Sequence, residues 1–253
     1  MDKRIGAQYF TIREYCKTLE DFDESCKKVH DIGYRVVQLS GIGDFSATDV
    51  KEVLDKYDLE CVCTHRPPVK YLEELDKEIE FHKTIGCNVC GLGCMPAFNA
   101  KPETVDDFVR DFAPVCEKLA EHNLIFAYHN HAFEFEKRNG RYVFEEILER
   151  MPYDNFKLIL DVYWLAFAGV NPAKFIQQYG DRIACIHFKD LKIVDNAPKY
   201  SEVGLGNLDW DELIEAANAS SASHALVEQD ECDGDPFEAL KTSYDFLKGK
   251  GFY

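Results

Sequence analysis

Tyr128-His129-Asn130-His131 with Glu134 just beyond, Leu160-Asp161, Ile186-His187-Phe188-Lys189-Asp190 and Val227-Glu228-Gln229-Asp230 decide the reading of this chain. Each ends an apolar run with side chains that bind divalent cations, and a helical stretch separates each from the next. One such segment is ordinary. Four in succession bring carboxylates and imidazoles to one end of a parallel barrel, where the loops after the strands converge.

Working outward, β-like runs at residues 5–10, 35–39, 59–64, 88–92, 124–129, 156–161, 183–188 and 225–228 alternate with helical periodicity such as Leu19-Phe22-Cys26-Val29 and Phe108-Phe112-Val115-Leu119. Ser46-Ala47-Thr48-Asp49 reads as a helix start resembling a capping box. Gly33, Gly86, Asn123 and Gly180 fall where helices should stop, since they accept the left-handed conformation cheaply. Eight such units predict an α/β fold, a (β/α)8 TIM barrel, as a single domain over residues 1–253. A doubly wound open sheet is the rival, but Gln8-Tyr9-Phe10-Thr11 after the first strand lacks the Gly-rich phosphate turn such sheets usually carry. The loop over residues 192–207 would overhang the barrel mouth, either as a lid or as plain surface.

Composition bounds the function. A net charge of −17 argues against nucleic acid or an anionic membrane as main partner. The absence of a long apolar run and of a signal-like start points to a cytoplasmic protein, with its ten cysteines as reduced thiols. Cys87, Cys90 and Cys94 have a metal-like spacing, but no fourth cysteine follows nearby, and core packing is preferred for them, as for Cys61 and Cys63.

At the strand ends, Asp161, His187 and Glu228 are the candidate metal ligands, and alternation puts Lys189 with His187 and Asp230 with Glu228. Each has a bland alternative: a helix cap for Asp161, a satisfied core histidine for His187, a solvent boundary for Glu228. A shared ion explains all three together. The fourth ligand is open between Glu134, reaching back over the mouth, and His129 on the strand; Glu134 is the first choice, which leaves His129 to bind substrate. His131 is then a general acid/base. The mixed oxygen and nitrogen set suits one divalent ion, Mn²⁺ first, with Mg²⁺, Co²⁺, Fe²⁺ or Zn²⁺ as alternatives. His65, Arg66, Gln38 and Trp164 are candidates for sugar hydroxyls or ring stacking, Arg66 for a phosphate or carboxylate.

These stretches, with Asp161-Val162-Tyr163-Trp164 and Glu202-Val203-Gly204-Leu205-Gly206, resemble the xylose-isomerase-like barrel superfamily, in particular its sugar phosphate isomerase/epimerase and inosose-dehydratase-like members. The resemblance implies a Glu–Asp–His–Glu set around one metal, with Asp161, His187 and Glu228 in the last three places. It also implies proton abstraction next to a carbonyl through a metal-stabilised enediolate, on a small carbohydrate or polyol. The chain departs from the pattern at His129, where many epimerases have Glu, which unsettles the usual two-glutamate proton shuttle. The expectation is therefore a sugar isomerase or epimerase with His131 as base, Lys189 steadying the enolate oxygen and Glu228 relaying protons. A lyase or dehydratase acting on a keto-sugar, keto-glycoside or keto-inositol stands second. An endonuclease-IV-like enzyme is disfavoured by the charge, a non-catalytic sugar-binding barrel by the retained ligand types. A homo-oligomer is compatible with this architecture.

Overall fold

A computed structural model describes residues 1–151 and 154–253. The eight expected strands all form: β1 (Gly6–Gln8), β2 (Val36–Ser40), β3 (Glu60–His65), β4 (Val89–Leu92), β5 (Ile125–His129), β6 (Phe156–Asp161), β7 (Ile183–Phe188) and β8 (His224–Val227). They lie in one parallel sheet in the order β3-β2-β1-β8-β7-β6-β5-β4. The two end strands approach each other, and the Arg66 backbone N–H donates to the Gly91 carbonyl across the seam at 3.0 Å. Gly91 is required there, because a Cβ would overlap the Thr64 carbonyl oxygen. The result is a nearly closed barrel with helices outside, the TIM-barrel architecture the alternation implies.

Two apolar layers hold it together. Val36, Val62, Cys63, Val89, Ala127, Ile159, Ala184, Cys185 and Leu226 fill the barrel interior. A larger layer, including Phe22, Phe108, Phe112, Phe126 and Phe156, packs strands against helices. The cysteines follow this division. Cys61, Cys87 and Cys90 sit in the outer layer and Cys63 and Cys185 in the interior, as small apolar groups, whereas Cys94 is half-buried and lines the mouth.

Helix punctuation is local chemistry. Thr18 Oγ1 accepts from Asp21 N and Ser46 Oγ from Asp49 N, each at 3.1 Å. Gly33, Gly86 and Asn123 have positive φ at helix ends, as the sequence implies, but Gly180 does not (φ −57°). That glycine instead allows the chain to pass close to Ser220. The segment read as a loop over 192–207 departs more. It opens with an antiparallel hairpin, Asp190–Val194 against Ala197–Ser201, turned by Asp195 and Asn196, both at positive φ. Among the described residues, no helix is long and apolar enough to cross a membrane.

Candidate active site

Strand alternation builds the site. Residues two beyond an interior-packed position share its face, so Val36 places Gln38, Cys63 places His65, Ala127 places His129, Ile159 places Asp161, Cys185 places His187 and Leu226 places Glu228. A polar layer therefore caps the apolar barrel interior at the carboxyl ends of the strands.

At its centre His129, Asp161, His187 and Glu228 each offer one ligand atom, all within 4.8 Å of one another, and all four side chains are buried. His129 Nε2 stands 3.2 Å from Asp161 Oδ2, and its Nδ1 is 3.1 Å from the Gly93 carbonyl oxygen. His187 Nδ1 lies 2.9 Å from Glu228 Oε2, and its Nε2 donates to Gln38 Oε1 at 2.7 Å. Carbonyl-type acceptors thus hold one nitrogen of each ring as N–H and leave the other nitrogen facing the carboxylates, the usual way a metal-binding imidazole is oriented. Asp161 satisfies both readings open to it: Oδ1 caps the helix Val162–Phe167 through Trp164 N at 3.1 Å, while Oδ2 faces the cluster. Asn130 braces it, accepting from Asp161 N at 2.9 Å. Two carboxylates and two imidazoles this close fit a divalent cation, which would balance their negative charge.

Charge around the cluster is compensated from one side. Lys189 is buried, with Nζ 3.2 Å from Glu228 Oε2, 3.5 Å from Asp161 Oδ2 and 2.6 Å from Asp230 Oδ1. Burial opposes its charge, yet these carboxylates raise its pKa above the ordinary lysine range. Tyr200, Trp164 and Tyr163 surround the ammonium at 5.2, 5.3 and 5.7 Å. Burial works against ionised Asp161 and Glu228 too, but Lys189 and the imidazoles hold both carboxyls below their usual values. Burial likewise opposes a charged His187, and Glu228 and Asp161 nevertheless push it up to about 9. Asp230 goes the other way: burial raises its carboxyl, with Glu228 adding to the effect.

Not every expected site residue joins the cluster. Glu134 is outside the four-group cluster. Its carboxylate accepts from the Tyr128 hydroxyl and from His131 N (2.9 Å), and burial pushes it up to about 7. His129 stands where a strand-five ligand would. His131, expected as a base, is kept neutral: burial, then His129 and Lys189, push it down to about 3. Arg66 lines the cavity with its charge already paired, Nε and Nη2 donating to Glu78 at 2.8 and 2.9 Å. Gln38 orients His187, as above. His65 and His131 both line a cavity of about 330 Å³ at the mouth, and His65 Nε2 and His131 Nδ1 are buried there without a hydrogen-bond partner. Trp164 Nε1 is also unpartnered, although Trp164 lies behind Lys189 and not on the cavity wall.

Three contributors have no site role assigned from the sequence. Gln8 donates to Glu228 Oε1 at 2.6 Å and fixes that carboxylate; the alternation Gly6-Ala7-Gln8 contains the signal. Tyr200 reaches Lys189 from the hairpin, which Asp195-Asn196 between Ile193-Val194 and Ala197 could have announced. Asp190, buried, accepts from Leu191 N (2.8 Å), Gly204 N (2.9 Å), Gly206 N (3.1 Å), Leu208 N (3.3 Å) and Trp210 Nε1 (2.6 Å). The Glu202–Gly206 stretch is therefore wrapped around a carboxylate behind the mouth.

Comparison with known proteins agrees with this fold. The family model for the xylose isomerase-like TIM barrel matches residues 26–250. The chain belongs to that family. Within the xylose isomerase-like barrels it is 26% identical over 179 residues to an inosose dehydratase of Lacticaseibacillus casei, a match covering 62% of this chain and 59% of that protein's length. Among solved structures it is similar to a sugar phosphate isomerase/epimerase from Parabacteroides distasonis (TM-score 0.80, 20% identity, 98% of this chain and 94% of that one). It is also similar to an L-ribulose 3-epimerase (TM-score 0.75, 13% identity, 98% and 94%). At these identities the solved structures speak to the fold.

Proposed function

We propose that this chain is a divalent-metal-dependent enzyme that removes a proton from carbon beside a carbonyl of a small carbohydrate or polyol, with isomerisation or epimerisation as the outcome. The observation that carries this reading is the buried His129–Asp161–His187–Glu228 set at the strand ends, opening on a cavity. His129 takes the fourth ligand position in place of Glu134. A divalent cation held there would polarise a substrate carbonyl and stabilise the charge that develops on deprotonation.

The surrounding residues divide the remaining work. Asp230, facing the cavity with its pKa raised, accepts and returns the proton; a neutral His131 would be a weak base beside the ligand set. Lys189 offsets the charge of Glu228 and Asp230 as the proton moves. Gln8 and Gln38 keep Glu228 and His187 in register. His65 and His131 offer their unpartnered nitrogens to substrate hydroxyls.

One observation favours a second reading, elimination of a β-oxygen. Apart from Glu228 and Asp230, the described cavity-lining residues include no carboxylate; His65 and His131 stand there instead. Such imidazoles can hydrogen-bond a departing hydroxyl or glycosidic oxygen but are poorly suited to reprotonate carbon. Relatives named as epimerase and as dehydratase are compatible with either outcome. The test is solvent-deuterium incorporation into a panel of keto-sugars, followed by NMR. Incorporation with Mn²⁺-loaded protein, lost in Asp161→Ala and after chelation, supports the proposal, and an unsaturated product supports the lyase branch. Undiminished turnover by His187→Ala in metal-depleted buffer refutes the metal reading.

A further inference from the structure

The cavity's charge and lining restrict what it accepts. Among its described lining residues the cations, apart from the histidines, are Lys189 and Arg66. Lys189 is shared by Glu228, Asp161 and Asp230, and Arg66 is ion-paired with Glu78 while stacking on Phe81 at 4.3 Å. Four carboxylates thus face two cations, and a phosphate or carboxylate on a substrate would find no uncommitted positive side chain. His65 Nε2 and His131 Nδ1 are buried at this wall without a hydrogen-bond partner, which leaves them to meet hydroxyl groups.

Most of the remaining wall is apolar: Phe10, Pro68, Pro96 and Phe98 reach its surface over the buried Leu92 and Met95, with Ser40, Gly93 and Cys94 beside them. Phe98 is the telling residue. It is 69% exposed, has φ +50° and lies 5.8 Å from the His131 ring, so a large aromatic face is held at the rim in a backbone conformation that bulky residues seldom adopt. A bare polyol would leave this wall wet, whereas an apolar group would cover it.

Resting on the carbohydrate reading above, we infer that the cavity takes an uncharged sugar carrying an apolar substituent, a neutral glycoside, and discriminates against phosphorylated sugars. The sugar's hydroxyls meet His65 and His131, and the substituent lies against Pro96 and Phe98.

Equilibrium binding of three non-reactive probes to the full chain, by calorimetry or ligand-observed NMR, tests this without turnover. Phenyl glucoside should bind at least tenfold more tightly than methyl glucoside, and glucose 6-phosphate more weakly than both. Phe98→Ser, at an exposed position that folding does not need, should bring the two glucosides within threefold of each other. Equal binding of the two glucosides, preference for glucose 6-phosphate, no binding of any probe, or an unchanged preference in Phe98→Ser overturns the inference. Because the enzymatic reading is judged by deuterium exchange and chelation, either can fail while the other stands.

Discussion

Replacing Gln38 with leucine removes the acceptor that holds His187 Nε2–H at 2.7 Å, in a fully buried position of similar size. His187 loses its tautomer lock, and a buried N–H is left unpaired at a cost of roughly 1–3 kcal/mol. Loss of such an outer partner typically weakens metal binding about 10- to 100-fold, which is about 1.4–2.8 kcal/mol. The two routes agree. Titration of Mn²⁺ into EDTA-stripped protein should therefore show a weaker Kd in Gln38→Leu, while Gln38→Glu, which keeps an oxygen acceptor, should recover most of the affinity. Unchanged Mn²⁺ affinity in a folded Gln38→Leu protein would refute the argument that this bond orients a metal ligand.

Asp190→Ala should lower stability by about 3–5 kcal/mol, since buried donors that share its carboxylate lose their acceptor. Faster hydrogen exchange at Gly204, Gly206 and Leu208 should accompany the lower denaturant midpoint, and unchanged protection there would contradict the role. His82 is buried, with Nδ1 donating to the Glu78 carbonyl at 2.7 Å and Nε2 2.8 Å from Thr64 Oγ1, and burial depresses its pKa from 6.5 to about 4. Below pH 6.5 the unfolded chain binds the proton that the folded one refuses, so stability present above 6.5 falls by about 3 kcal/mol as pH drops to about 4. His82→Gln should flatten that loss in urea titrations across the window, and an identical slope in both proteins would exclude His82 as its source.

The fold was legible because barrel strands carry their own punctuation: β-branched and apolar runs, helix stops at Gly33 and Gly86, and polar residues at strand ends. The cluster was legible to the same depth, since Asp161, His187 and Glu228 end their strands. At strand five the sequence leaves Glu134 and His129 open, and packing separates them: Glu134 sits in a tight turn where Tyr128 and His131 N hold it, while two-residue parity from Ala127 brings His129 to the cluster. The pairing of Arg66 was not legible, because its partner Glu78 is twelve positions away on a helix and only packing brings the two together. Asp190 looked like one more acid in a motif, and its loop-binding role depends on backbone N–H directions that composition does not encode.

Crystals equilibrated with Mn²⁺ and measured for anomalous scattering would show directly whether His129, Asp161, His187 and Glu228 hold one divalent ion. A single strong peak in contact with one atom from each of those four side chains is expected, retained in Glu134→Gln and lost in His129→Ala. A peak bound to Glu134, or none among the four, would refute the proposed metal centre.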